Sequence, residues 1–400
     1  MIPVVDVRLH AERLLAGPVS RADLALAFEE SLASSAEVLV GGDAFYPRIL
    51  EDIASATSSI HINQFGFRPG LVGDAFAAAL VDKARAGVPV RIVVDRQGSD
   101  PARSSQALYE QLAAAGAEIC VVRATQLRAP HGPLGSGGGN HWNLGSVGHI
   151  DHRKVVVVDG RVGWVGGAGI EDHFQDGRFH DLFVRLEGPV VGQLQLVFVA
   201  SLLWLGGAVD DADLLFPPLE AGEAPVPAVV LHNAPGRYRP ITDAIARLLD
   251  GATTTLDVVN PYVTDRGMIR RIERAARRGV DVRLFVPAEA NNWACAAAQQ
   301  FHHGRLLDAG VRIIEHPAML HAKAFVRDGE EVLAGTCNLE AWSLRRFFEI
   351  DVLVRSHALA TQFEERFSVP AEALSRDGRR LTGTKERAKA ALFAGLSPFL

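Results

Sequence analysis

Residues 152–169 read HRKVVVVDGRVGWVGGAG, and residues 321–338 read HAKAFVRDGEEVLAGTCN. Set in register, His152 falls on His321, Lys154 on Lys323, Asp159 on Asp328 and Gly166-Gly167 on Gly335-Thr336, each pair 169 positions apart. Asp181 and Glu349 follow at a separation of 168. One His-x-Lys with a later Asp is an ordinary strand end. Two copies at equal spacing read as a duplicated functional element. The runs after the lysines, VVVV and AFVR, are apolar and rich in β-branched or aromatic residues, so both predict strands. Residues i and i+2 of a strand share a face, which turns each histidine and its lysine toward one pocket.

The duplication extends outward. SIHI (59–62) and TLDVV (255–259) read as strands, each followed by a helical run stopped at Gly87 or Gly279. The strands VPVRIVVD and VDVRLFVP come next, then helices ending at Gly116 and Gly310, then AEICVV and VRIIEH. Helices alternating with β-rich runs predict βαβ units. The expected fold is α/β: two pseudo-twofold-related halves, each a mixed, largely parallel sheet flanked by helices, with one active site at their interface. The expected divisions are an N-terminal segment (1–36), a first half (37–209), a linker (210–232), a second half (233–369) and a C-terminal tail (370–400). The linker reading rests on DDADLLFPPLEAGEAPVP (210–227), which is rich in proline and acid and has no period.

The halves differ before their His-x-Lys motifs. Gly116 to His152 is 36 residues, Gly310 to His321 only 11. The extra stretch within 121–150 is glycine-rich and carries Trp142. It reads either as a flexible loop over a site or as a plain surface insertion. Its GSGGGN run lacks the spacing of a dinucleotide fingerprint.

Composition narrows the function classes. Of the 400 residues, 48% are hydrophobic and 22% charged, too apolar for a disordered chain. The net charge of −6 argues against nucleic-acid binding through bulk charge. Cys120, Cys295 and Cys337 are odd in number and widely spaced, which suits a reducing compartment rather than a disulfide framework or a zinc site. The N-terminus does not read as a signal peptide. Residues 188–209 are uncharged and long enough to span a bilayer, but Gln193, Gln195 and Ser201 favour a buried core helix.

If the halves pack about their pseudo-twofold axis, two imidazoles and two ammonium groups converge on one point. Such a cluster suits a phosphodiester. The lysines neutralise non-bridging oxygens, one neutral imidazole attacks phosphorus, and the other passes protons to the leaving and from the incoming oxygen. The scheme requires no metal or other cofactor. Asp181 and Glu349, at matched distances after their histidines, are candidates to fix the imidazoles. Asp159 and Asp328, just before glycines, are candidates to hold the turn and the lysines. Asn338 is a candidate amide donor to a phosphate oxygen, and Cys337 reads as a small buried filler.

These residues resemble the double HKD signature of the phospholipase D superfamily, and most closely the bacterial cardiolipin synthase-like proteins. The resemblance covers about residues 37–370 and includes FHDLFVRLEGPVV and NLEAWSLRRFFEIDV. It implies two α/β halves meeting at one site, with His152 as nucleophile and His321 as general acid and base. It matches Lys154, Lys323 and Asn338 to phosphate-binding positions, and Asp181 and Glu349 to the acids that orient the histidines. Two departures stand out. Gly169 occupies the place of the family's first-half Asn. The two N-terminal membrane spans of many bacterial cardiolipin synthases have no counterpart in this sequence.

The resemblance implies a phosphatidyltransferase or phospholipid hydrolase working through phosphohistidine, with phosphatidylglycerol the expected substrate and an alcohol or water the acceptor. The alternative is a phosphodiesterase or nuclease of the same superfamily. The expected placement is cytoplasmic and peripheral to the membrane, with phospholipid rather than nucleic acid as partner. KERAKAALFAGLSPFL at the C-terminus is either a membrane-contacting segment or a helix docked on the body.

Overall fold

The computed structural model describes residues 5–123, 149–209, 215–236 and 238–399. Each half is built on one mixed sheet. In the first, the strands run in the order Ser35–Val40, Leu182–Glu187, Val162–Gly166, Lys154–Val158, Ile60–Gln64, Val90–Asp95, Glu118–Val122. The second repeats this order with Val226–Asn233, Glu349–Arg355, Glu331–Gly335, Ala324–Arg327, Thr255–Val259, Asp281–Pro287 and Arg312–His316. Short edge strands, Ser31–Ala33 and Arg376–Asp377, extend the second sheet at its two ends.

The expectation of largely parallel sheets is corrected. Within the two large sheets, parallel pairing is confined to three strands in each half, Ile60–Gln64 with its two successors and Thr255–Val259 with its two. These are the strands joined through helices, which is where parallel pairing is required. The His-x-Lys strands run antiparallel to them, because each enters a tight hairpin at Asp-Gly. Asp159-Gly160 and Asp328-Gly329 all have positive φ, between 53° and 65°, the geometry that Asp-Gly pairs supply in such turns.

Three further stretches settle differently from their sequence reading or between its alternatives. The second sheet takes up the chain at Val226, so the end of the expected 210–232 linker is a strand. Ser31–Ala33 lies within the expected N-terminal segment yet pairs with Val226–Ala228 of the second sheet, so the chain's beginning ties the halves together. The stretch 188–209 forms the helix Val191–Trp204, buried on nearly every side. Its polar groups are all engaged: Gln193 with the Glu29 carbonyl and the Val230 amide, Gln195 with His61, and Ser201 with Arg153. Among the described residues no helix is long and apolar enough to cross a membrane.

The C-terminal helix Thr384–Leu396 docks on the helix Trp293–Asp308. Phe393 meets Trp293 edge-on at 4.8 Å, and Ala390 and Ala394 are buried in the contact. Most of the glycine-rich 121–150 stretch lies outside the described residues.

Candidate active site

Each His-x-Lys sits where its strand begins, and each is pinned by the other half. The His152 amide donates to the Phe348 carbonyl (2.9 Å), and the Phe348 amide returns a bond to Ile150 (2.9 Å). The His321 amide likewise donates to the His180 carbonyl (2.8 Å), beside the short parallel pairing of Phe179–His180 with Met319–Leu320. Phe348 and His180 immediately precede Glu349 and Asp181. The backbone registration therefore delivers each carboxylate to the histidine of the opposite half.

That is the pairing observed. His152 Nδ1 lies 3.1 Å from both Glu349 carboxylate oxygens, and His321 Nδ1 lies 2.7 Å from Asp181 Oδ2. Spacing along the chain associates each acid with its own half's histidine; the fold exchanges them. With Nδ1–H directed at a carboxylate, each imidazole leaves Nε2 for chemistry. Neither carboxylate is exposed beyond 1%. Glu349 also accepts from the hydroxyls of Thr336 (2.5 Å) and Ser343. Asp181 accepts from the Leu182 amide (2.8 Å) and faces Gly167, the counterpart of Thr336.

The four basic groups form one electrostatic unit. Burial lowers the pKa of His152, opposed by Glu349 and assisted by Lys154 and Lys323. Burial and both lysines hold His321 well below the usual imidazole range. Burial brings Lys154 down to about 8 and Lys323 to about 7, with the carboxylates pulling the other way. In the free protein Lys154 Nζ donates to the His152 carbonyl (2.6 Å), and Lys323 Nζ approaches the ring and carbonyl of its own histidine. Buried ammonium groups with depressed pKa values gain from an arriving anion, because its charge supports their protonated form. The cluster is thus suited to a phosphate flanked by two neutral imidazoles.

Asp159 and Asp328 lie elsewhere. Each follows its strand at the end away from the lysine, about 15 Å distant by strand rise. Asp159 accepts from the backbone amides of Thr57, Ser58 and Ser59, and Asp328 from those of Thr253, Thr254 and Thr255. They tie the hairpin turn to the start of the neighbouring strand and do not touch the lysines.

Asn338 is buried, its backbone N–H donating to Ser343 Oγ at 2.8 Å. Its side-chain Oδ1 is buried without a partner among the described residues. At the matching position a Cβ on Gly169 would meet Glu171 Oε2 at 2.6 Å and the Gly66 carbonyl at 2.9 Å. Glu171 therefore fills space that an Asn side chain would need. Its second-half counterpart, Glu340, caps a helix through the Trp342 and Ser343 amides (both 2.7 Å), whereas Glu171 makes no such cap and pairs with Arg68 at 3.3 Å.

Sequence reasoning missed the support behind His152. Arg153 is buried and donates to both oxygens of buried Asp151 (2.8 and 2.6 Å) and to Ser201. The Asp151 amide donates to Asp95 Oδ2 at 3.0 Å, and burial pushes the Asp95 carboxyl up to about 7. Asp151 directly precedes the motif and has no acidic counterpart before His321, where Leu320 stands, a difference readable in the alignment. Aromatic walls were also missed: Phe65 and Phe347 beside His152, Phe174 and Phe179 beside His321. Their positions depend on packing between halves, which spacing does not encode.

The site can now be set beside known proteins. A family model described as "Cardiolipin synthase, PLD-like domain" matches residues 49–190 and 245–369. A cardiolipin synthase of Geobacillus kaustophilus is 31% identical over 377 residues, covering 90% of this chain and 72% of that protein. The major cardiolipin synthase of Bacillus subtilis is 26% identical over 345 residues, covering 84% and 68%. Among solved structures, the phosphatidylserine synthase of Haemophilus influenzae superposes with a TM-score of 0.70 at 13% identity, over 99% of this chain and 100% of that one, a likeness of fold. The chain belongs to the phospholipase D-like, cardiolipin synthase family.

Proposed function

We propose that this protein is a phosphatidyltransferase that uses phosphatidylglycerol as donor and acceptor, working through a phosphatidyl-histidine on His152. The observation that carries the reading is the convergence of two carboxylate-held imidazoles and two buried lysines on one site. In the first step His152 Nε2 attacks phosphorus. The P–O bond to the head-group glycerol breaks, and His321 gives its proton to the leaving oxygen. In the second step the acceptor hydroxyl returns a proton to His321 as its oxygen attacks phosphorus and the N–P bond breaks.

Lys154 and Lys323 balance the phosphate charge in both steps, and Asn338 contributes its side-chain amide. The bound phosphate offsets the lysine charges that depress His321, which restores its capacity to carry a proton. Asp181 and Glu349 act as positioning residues. Water in place of the alcohol would give phosphatidic acid. The expected working place is a phospholipid surface.

The test is mass spectrometry of lipid products after purified protein meets phosphatidylglycerol vesicles, with and without ethanol. Cardiolipin and phosphatidylethanol from the wild type, both absent with His152→Ala and His321→Ala, are the expected result. Phosphatidic acid alone would make the protein a hydrolase. Intact lipid alongside a cleaved oligonucleotide would overturn the lipid assignment.

A further inference from the structure

On the His152 side of the site lies an open cavity of about 810 Å³ whose wall carries Arg239, Arg266, Arg270, Arg345, Arg346 and the ring of Trp342. Five guanidinium groups gather there in a chain of net charge −6. The opposing acids are few. Asp265, on the wall, is engaged by Arg345 at 2.5 Å. Asp243 acts on Arg239, whose pKa is lowered by burial and by Arg345. Glu340 is buried as a helix cap, its carboxyl turned to the Trp342 and Ser343 amides and its pKa pushed up to about 8 by burial.

The arginines are only partly committed. Arg239 donates to the Gly236 carbonyl, Arg266 to the Ala394 carbonyl, and Arg346 stacks over Trp342 at 5.1 Å. Arg270 is exposed and has no acidic partner among the described residues. Planar guanidinium groups of this kind bind phosphate oxygens bidentately.

The cavity is coupled to the reacting centre. Trp342 lies 6.1 Å from Phe347, and Phe347 lies 6.0 Å from the His152 imidazole. His149, also on the cavity wall, stands on the segment that leads into His152. The Phe347 ring therefore stands between the Trp342 wall of the arginine-lined space and the proposed phosphohistidine. Lys154 and Lys323 are occupied by the phosphate being transferred. A second anionic lipid needs other cations to hold its own phosphate while its free hydroxyl reaches phosphorus.

We infer that this cavity is the acceptor subsite, holding the phosphodiester of a second anionic phospholipid; the inference rests on the transferase reading above. The test is a competition in one tube. Wild type and the Arg270→Gln/Arg346→Gln double variant receive dihexanoyl-phosphatidylglycerol and ethanol together, and cardiolipin and phosphatidylethanol are counted. The expected result is a fall of about tenfold in the cardiolipin-to-phosphatidylethanol ratio, since each charged hydrogen bond lost weakens acceptor binding. The phosphatidylethanol made by the variant reports that it is folded. An unchanged ratio overturns the inference.

A second arm separates lipid from free phosphate. Calorimetry in a His152→Ala background, with and without the double substitution, measures binding of dihexanoyl-phosphatidylglycerol and of inorganic phosphate. Loss of a lipid-binding event with the arginines supports the inference. Arginine-dependent binding of inorganic phosphate with equal affinity makes this a free-phosphate site and overturns it. If wild type yields neither product, the transferase reading fails by itself, while the calorimetric arm still decides whether the arginines hold a lipid phosphate.

Discussion

The two halves share a fold and a motif but differ in what stands behind their histidines. Behind His152 stands buried charge: Arg153 clamped on Asp151, with Asp151 in turn on Asp95. Behind His321 the same place holds Ala322, which makes no ion pair, although both rings lie beside aromatic side chains, Phe65 and Phe347 for His152 and Phe174 and Phe179 for His321. The carboxylate serving His152 is itself fixed by two hydroxyls, whereas the one serving His321 faces a glycine. A group that attacks phosphorus needs one fixed direction. A group that passes protons between a leaving and an incoming oxygen needs some freedom. The difference between the halves fits the roles proposed for the two histidines.

The largest effect should come from the histidines themselves. His152→Ala is expected to abolish turnover and leave no covalent adduct. His321→Ala is expected to slow turnover by about 10²–10⁴-fold, the usual reach of a general acid and base. It should also let phosphatidyl-His152 accumulate, visible by mass spectrometry of quenched protein. An adduct on His321 instead would reverse the roles drawn from the comparison.

Next come the crossed carboxylates. Glu349→Gln and Asp181→Asn should each lower kcat/KM by about 10²–10⁴-fold, as loss of an imidazole-orienting carboxylate does elsewhere. Their pH signature distinguishes positioning from bulk structure. Glu349 raises the pKa of His152 against the burial that depresses it. Removing its charge lowers that pKa further, so the acid limb of the kcat/KM profile should move to lower pH. A uniform loss with an unmoved profile would place Glu349 outside that role.

Much of this was legible in the sequence, and the gaps have physical causes. The 169-residue offset predicted the duplication and brought forward both histidines, both lysines and both carboxylates. It left open which acid meets which histidine, because that depends on how the chain registers Phe348 against His152 and His180 against His321. The sheets were expected to be more parallel than they are, because the helix-linked strands show in sequence as βα units while the hairpin strands inherit their direction from a turn. The arginine cavity was invisible for another reason. Its residues come from five separated stretches, and a net charge of −6 hides a local positive excess.

Gly169 sharpens the comparison of the halves with a smaller effect. Restoring the missing amide by Gly169→Asn should not help, because its Cβ would press on Glu171 and on the Gly66 carbonyl. A loss of about 1–3 kcal/mol in stability, with activity reduced a few-fold, is the expected outcome. Adding Glu171→Ala removes the first of these contacts. The double variant should then recover part of the loss, with a coupling of about 0.5–3 kcal/mol between the two changes. Higher activity from Gly169→Asn alone would mean that Glu171 moves aside freely and that the halves differ less than their packing suggests.

The smallest catalytic effect belongs to the aspartates of the duplicated motif. Both Asp159 and Asp328 sit at turn ends with three backbone amides as donors, remote from the lysines. Despite some burial, those hydrogen bonds bring Asp328 down to about 2. A carboxyl depressed on folding contributes stability above its ordinary pKa and loses it as pH falls through the folded value. Asp328→Ala should therefore cost about 1–2 kcal/mol in urea unfolding near pH 6, and the gap from wild type should narrow as pH falls from about 4 toward 2. Activity at pH 7 should stay within about twofold of wild type, since nothing in the turn touches a reacting group. A hundredfold loss in a variant that unfolds like the wild type would instead move Asp328 into the reaction. It would then require the strand Ala324–Arg327 to transmit to Lys323 a displacement made at its far end.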